Sequence, residues 1–161
     1  MYLVVKVFVV YDSKYGNTKK VAEEIVEGLK EVGGIETSIS YVKEADLEGV
    51  ADADALIVGA PNHMGNPSMA IKKFIDKLAK LNLKAKGIAF FDTYYAKKKN
   101  FEKALKKMEK RVNTKRPDLK LIMPGLSIKV NDVSGPIAEG ELPKCRDFGR
   151  KIASQLKTQP S

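Results

Sequence analysis

Val9-Val10-Tyr11-Asp12-Ser13-Lys14-Tyr15-Gly16-Asn17-Thr18-Lys19-Lys20-Val21-Ala22 runs an apolar strand straight into a Ser/Gly/Asn/Thr loop that opens a helix. Free backbone N–H groups at a helix start, the positive end of the helix dipole and small hydroxyl side chains converge at such a junction, so phosphate binds there without a metal. The G-x-x-x-x-G-K-[ST] loop of ATP and GTP hydrolases is not met, because Asn17 and Thr18 follow Gly16 and Lys14 lies on its other side. The dinucleotide fingerprint G-x-G-x-x-G needs three glycines for a pyrophosphate to approach, and this loop has one. A single terminal phosphate fits better. An ordinary capped turn uses the same residue types, so the loop gains meaning only from the rest of the chain.

Working outward, apolar β-branched runs at Leu3–Val10, Ile35–Tyr41, Ala55–Val58, Gly87–Phe91 and Leu119–Met123 predict five strands, mostly buried on both faces. Helical stripes lie between them. Val21, Ala22, Ile25, Val26 and Leu29 form one, closed by Gly33-Gly34, and Ile71, Phe74, Ile75 and Leu78 form another, capped by Ser68 after Pro67. Phe101, Ala104, Leu105 and Met108 make a third; Cys145, Phe148, Ile152 and Leu156 make the last. A short helical turn near Ala45–Leu47 joins the second and third strands. This alternation predicts an α/β doubly wound parallel sheet with helices on both faces, binding its ligand at the carboxyl ends of the strands.

The chain has 161 residues and no Gly/Ser or Pro-rich linker, which predicts one domain over 1–157 and a short polar tail at 158–161. The apolar start contains Lys6 and leads directly into the loop, so it reads as a core strand and not as a leader. No apolar run approaches membrane-spanning length. Cys145 alone permits no internal disulfide, and no Cys/His cluster has metal-ligand spacing, so a cytoplasmic protein without a metal is expected. The position of Cys145 on an apolar helical face makes it a small buried hydrophobe. The high Lys and Glu content is of the kind that accompanies heat tolerance.

The net charge of +9 is unevenly placed: Lys97 to Lys120 holds eleven Lys or Arg against Glu102, Glu109 and Asp118. The segment is a solvated helix of a Lys-rich protein, or a docking face for an acidic redox partner. Nucleic acid comes last, since no aromatic residues alternate with the lysines.

The first, third and fourth strands end in loops of unusual composition. These are Ser13–Thr18; then Pro61-Asn62-His63-Met64-Gly65-Asn66 before Pro67; then Asp92-Thr93-Tyr94-Tyr95. With these in order, the chain resembles a flavodoxin. The S-x-x-G-N-T at Ser13–Thr18 is similar to that family's FMN phosphate loop, Met64-Gly65-Asn66 to its loop beside flavin N5, and the tyrosine pair to its aromatic loop over the ring. The stretches Pro124–Val130 and Glu141–Arg150 are similar to the end of the flavodoxin domains of diiron flavoproteins, which would make this the flavin half standing alone.

The resemblance implies a flavoprotein of five parallel strands with FMN as cofactor. Ser13, Asn17 and Thr18 match the side chains that cradle the phosphate, and Tyr15 and Gly16 would give backbone donors. Lys14 departs from the small neutral residues usual there; it neutralises the phosphate or points to solvent. Tyr94 or Tyr95 would stack on the ring, a contact worth about 0.5 to 1.5 kcal/mol beyond its buried area. Gly65-Asn66 matches a peptide that turns over when the flavin is reduced, a movement glycine permits. Pro67 restricts Asn66 to extended conformations. Asn66 stands where an acid is common, so a ring that becomes anionic meets less repulsion.

His63, the only histidine, is either a proton donor to the flavin or an exposed loop residue without chemistry. Asp92 bonds the flavin's pyrimidine side through its neighbouring amides or simply starts a turn. The function expected first is an FMN-binding electron-transfer protein of flavodoxin type working between redox partners. The alternatives are an oxidoreductase of the NAD(P)H:quinone or flavin reductase class on the same fold, and a non-redox binding module with a decayed flavin site and a basic interaction helix. Flavodoxins are usually acidic; this basic chain departs from that habit.

Overall fold

Each of the first four apolar runs is followed by a helix that returns the chain to the same end of the sheet, so the next strand enters parallel to its neighbours. The computed structural model describes residues 4–95 and 101–158. In chain order these are β1 (Val5–Tyr11), α1 (Asn17–Val32), β2 (Ile35–Tyr41), a 3₁₀ turn (Val42–Glu44), α2 (Leu47–Asp52), β3 (Ala55–Pro61), α3 (Met69–Leu78), β4 (Gly87–Tyr95), α4 (Lys103–Lys115), β5 (Lys120–Leu121), β6 (Leu126–Val130) and α5 (Leu142–Thr158). The sheet order is β2-β1-β3-β4-β5, with β6 also pairing β4, and all pairings are parallel. The expected doubly wound α/β fold is therefore present.

Both faces of the sheet are covered, which is why its central strands read as continuous apolar runs. On one face Leu56, Val58, Ile88 and Phe90 pack against Ile71, Phe74 and Ile75 of α3 and Leu105 and Met108 of α4. On the other, Val7, Val9, Ile57 and Phe91 meet Ile25 and Leu29 of α1 and Cys145, Phe148 and Ile152 of α5. Helices α1 and α5 touch through glycine: a Cβ on Gly28 would sit 2.0 Å from the Arg146 carbonyl oxygen, and one on Gly149 would sit 2.1 Å from that of Ile25.

The fifth strand differs from the expected Leu119–Met123. It is broken in two. From Ile88 to Phe91 strand β4 advances three residues while its partner advances five, Leu121 to Leu126, so two extra residues loop out of the ladder. Pro124 has no N–H to pair, and Gly125 passes so close to Leu105 and the Phe90 carbonyl that an added Cβ would lie 3.0 Å from each. The later stretch Leu126–Val130 then pairs the end of β4, where the candidate site lies.

Four local expectations also need correction. Ala45 and Asp46 are extended, and the helix begins after them at Leu47 because the Asp46 carboxylate caps the Glu48 N–H at 3.1 Å. Ser68 occupies the N-cap of α3, yet its buried hydroxyl makes no cap bond and has no partner among the described residues. Phe101 lies before α4 and is 42% exposed; Val112 completes that helix's buried stripe instead. Thr158, read as the start of the tail, is the last residue of α5.

Candidate functional site

Strand order reverses direction between β1 and β3, the switch point at whose carboxyl ends doubly wound sheets bind their ligands. The loops after β1, β3 and β4 meet there, and backbone bonds hold them together: Asp12 N–H donates to the Gly59 carbonyl at 3.1 Å, and Asn62 N–H to that of Thr93 at 2.8 Å.

In the first loop Gly16 is left-handed (φ 92°) and starts α1 with no side-chain cap, so the helix's first N–H groups carry no side-chain acceptor. The Gly16 N–H itself is not free; it donates to Ser13 Oγ at 3.0 Å. That leaves the Ser13 hydroxyl proton to donate elsewhere. Lys14 is exposed, its ammonium 5.3 Å from the centre of the Tyr15 ring, and Tyr15 is itself 51% exposed. Thr18 is buried against the end of β4. It is 2% exposed, and its hydroxyl lies 2.9 Å from that of Thr93.

A second wall was not anticipated from sequence. The segment after β6 folds back, Asn131 N–H to the Pro136 carbonyl at 2.9 Å and Gly135 N–H to that of Asp132 at 2.9 Å. It closes on the Ser13–Thr18 loop so tightly that a Cβ on Gly135 would sit 2.6 Å from Asn17 Oδ1. Asn131-Asp132 and Ser134-Gly135-Pro136 are the turn residues that would have signalled it.

The loop after β3 is a two-residue turn. His63 and Asn66 exchange backbone bonds at 2.7 and 3.0 Å, with Met64 (φ 52°) and Gly65 (φ 91°) both left-handed between them. This is a type I′ geometry, in which a glycine at the second central position is expected. Asn62 Oδ1 accepts from the Gly65 N–H at 2.6 Å, and Lys107 on α4 donates to Asn66 Oδ1 at 2.6 Å. The extended bridge made by Asn66 agrees with the restriction Pro67 imposes. His63 is exposed and Met64 is 86% exposed, while Pro61 and Asn62 are half-buried.

At the end of β4, Asp92 and Thr93 point to opposite faces, as successive strand residues must. Asp92 is fully buried on the α4 side, where the Ser127 hydroxyl donates to its Oδ1 and Oδ2 has no hydrogen-bond partner among the described residues. Burial pushes this carboxyl up to about 7, against the pull of Ser127 and Asn62. Tyr94 packs edge-on against Phe101, ring centres 5.0 Å apart, and its half-buried phenol is raised mainly by desolvation. Tyr95 is 45% exposed. Ser127, Phe101 and Lys107 are thus site residues that sequence reading missed; each reaches the loops only through the register or packing of another element.

Of the basic segment, Lys97–Asn100 lies outside the described residues. Arg111 and Lys115 pair with Asp76 at 2.7 and 2.8 Å and hold its carboxyl far below the usual carboxylate range. Arg116 pairs with Asp118 at 3.0 Å. Lys103, Lys106, Lys107 and Lys110 form an exposed stripe at i, i+3, i+4 and i+7, without ion pairs among the described residues. Cys145 is buried and pushed up to about 12 by desolvation, the inert hydrophobe expected. Among the described residues no cluster suits a metal, and no helix is long and apolar enough to cross a membrane.

The donor set fits a phosphate monoester: an uncapped helix start, the Ser13 hydroxyl and the Asn17 amide, with no glycine-lined space for a second phosphate. Comparison with known proteins agrees. The chain is 46% identical to a flavodoxin of Aquifex aeolicus over 44% of its length and 38% of that protein's. It is 31% identical to an NAD(P)H dehydrogenase (quinone) of Geotalea daltonii, over 56% of each chain. These alignments span about half or less of the relatives' own lengths. The structure of a flavodoxin from the domain Archaea superposes with a TM-score of 0.79 at 25% identity, covering 95% of this chain and 99% of the other. A flavodiiron core from Synechocystis gives 0.75 at 19% identity, over 96% of this chain and 36% of the other, which shows a shared fold. The flavodoxin domain family model matches residues 8–130, from the first buried strand to the end of β6. The chain therefore belongs to the flavodoxin family of FMN-binding proteins.

Proposed function

We propose that this protein is an FMN-dependent electron carrier that passes electrons between redox partner proteins. The observation that carries the reading is the meeting of three strand-end loops at the β1/β3 switch point, one of them opening an uncapped helix. Bound FMN supplies reversible one- and two-electron chemistry, and the chain's own residues do the rest. Ser13, Asn17 and the backbone amides of Tyr15, Asn17 and Thr18 hold the phosphate, with Gly16 making the turn between them. Lys14, exposed beside Tyr15, points to solvent. Pro61, Asn62, His63, Met64, Gly65 and Asn66 border the ring, and Asp92 and Thr93 form its floor. Tyr95 is the residue we assign to stacking, because Tyr94 is already covered by Phe101.

We place the partner on the lysine stripe of α4, where unpaired positive charge favours an acidic surface. A cytoplasmic location belongs to the same proposal. A second reading, NAD(P)H:quinone reductase, draws support from the Geotalea relative and from His63 exposed in the β3 loop. Stepwise reduction of the FMN-loaded protein decides between them. A carrier shows two resolved one-electron steps and negligible NAD(P)H oxidation with quinones; a reductase shows a single two-electron step and sustained turnover. Protein that stays colourless with FMN excludes both readings.

A further inference from the structure

Helix α4 seats on the sheet through Ala104, Leu105, Met108 and Val112, which turns its four unpaired lysines outward. Lys107 differs from the other three. Its ammonium is bonded to a side chain of the β3 loop, Asn66 Oδ1, at 2.6 Å. An amide offers a dipole and not a counter-charge, so the positive charge stays whole. Among the described residues no acid around α4 forms an ion pair with it. Asp76 on α3 is held by Arg111 and Lys115, and Asp118 by Arg116. Glu102 and Glu109 line a groove with Leu105 and Leu121 that Lys107 does not border, and Asp92 is buried beneath the loops.

The loop that Lys107 grips is closed on itself by its own backbone bonds. Two left-handed residues, Met64 and Gly65, are closed by the His63–Asn66 backbone pair and braced by Asn62, so a bond to Asn66 locates the whole turn. We propose that Lys107 is a positioning residue of the cofactor site: it fixes the His63–Asn66 turn and sets uncompensated positive charge on the site's rim, favouring the reduced cofactor. This rests on the FMN reading above. Reduction adds negative charge, a nearby cation stabilises the reduced form more than the oxidised one, and salt screens the effect.

The test is a reductive titration of FMN-loaded protein against reference dyes at low and high salt. Lys107→Met should lower the equilibrium constant for reduction by about three- to tenfold at low salt, tenfold being about 59 mV for a one-electron step. The difference should shrink at high salt. Lys107→Arg should restore the equilibrium constant, and Lys110→Met, which removes the same charge from the stripe without touching the loop, should move it less than half as far. In the cofactor-free protein, amide exchange at Gly65 and Asn66 should quicken in Lys107→Met and not in Lys110→Met. Equal titrations for the two methionine variants, or unchanged amide exchange, overturn the proposal while leaving FMN binding intact. Wild-type protein that binds no FMN overturns both.

Discussion

Thr18 at the start of α1 and Thr93 at the end of β4 face each other, hydroxyl to hydroxyl, at 2.9 Å and 75 residues apart in sequence. Both are buried. The bond ties the helix that would hold a phosphate to the strand that would support the ring, so the two halves of the site are positioned by one contact.

Removing one partner leaves the other buried and unsatisfied. Thr93→Val should therefore cost about 1 to 3 kcal/mol of stability in a denaturant titration. Thr18→Val should cost a similar amount, and the double variant distinctly less than the sum of the two. Strict additivity would mean that the hydroxyls do not bond.

Phosphate recognition is better tested elsewhere, because Thr18 also serves the fold. Ser13→Ala and Asn17→Ala each remove a hydrogen bond to an anionic group, at about 1.5 to 3 kcal/mol. FMN affinity should fall at least tenfold in equilibrium binding, with riboflavin affinity nearly unchanged. Equal weakening of both ligands would refute the cradle.

Stacking should separate the two tyrosines. Tyr95→Ala should weaken FMN binding and restore flavin fluorescence that an adjacent ring quenches. Tyr94→Ala should lower stability by loosening Phe101 and leave emission quenched. The reverse pattern would move the assignment to Tyr94.

Asp92 makes a pH prediction with a definite sign. Its folded value of about 7 lies above the ordinary carboxylate value, so between pH 4 and 7 the native state holds a proton that the unfolded chain has released. Its stabilising contribution is complete below about pH 4 and is lost as the pH rises through about 7. The full swing is on the order of 4 kcal/mol. Asp92→Asn should flatten this slope in thermal melts and stabilise the protein above pH 7. A slope unchanged by the substitution would show that Asp92 does not titrate there.

Docking calls for variants that spare the loop contact. Lys103→Glu, Lys106→Glu and Lys110→Glu together should lower the second-order rate with an acidic redox partner and weaken its salt dependence, because screening acts over about 10 Å at 0.1 M. Stopped-flow mixing checks this, and a rate indifferent to salt and to the triple variant would return these lysines to plain surface.

The elements that govern the site were legible because they depend on local pattern. The β1 run, the Gly16 turn and the Met64-Gly65 turn each declare themselves within a few residues. What stayed hidden depends on register and packing. Nothing near Ser127 reveals that a two-residue slip after Leu121 brings it opposite Asp92. Nothing near Lys107 says which of four equivalent lysines will reach Asn66. Ser68 misled for a related reason: its residue type suits a cap, while the tertiary fold buries the hydroxyl away from the amides it would serve.

The broken fifth strand has a further consequence for how copies of the chain meet. An outer strand with a continuous row of free N–H and C=O groups invites another strand to add to it, and repeated addition leads to aggregation. Here that boundary carries a two-residue strand followed by a loop with a proline, so an incoming strand would lose its ladder at Ile122–Gly125. The interruption that delivers Ser127 to Asp92 also makes this side of the sheet a poor template for polymerisation.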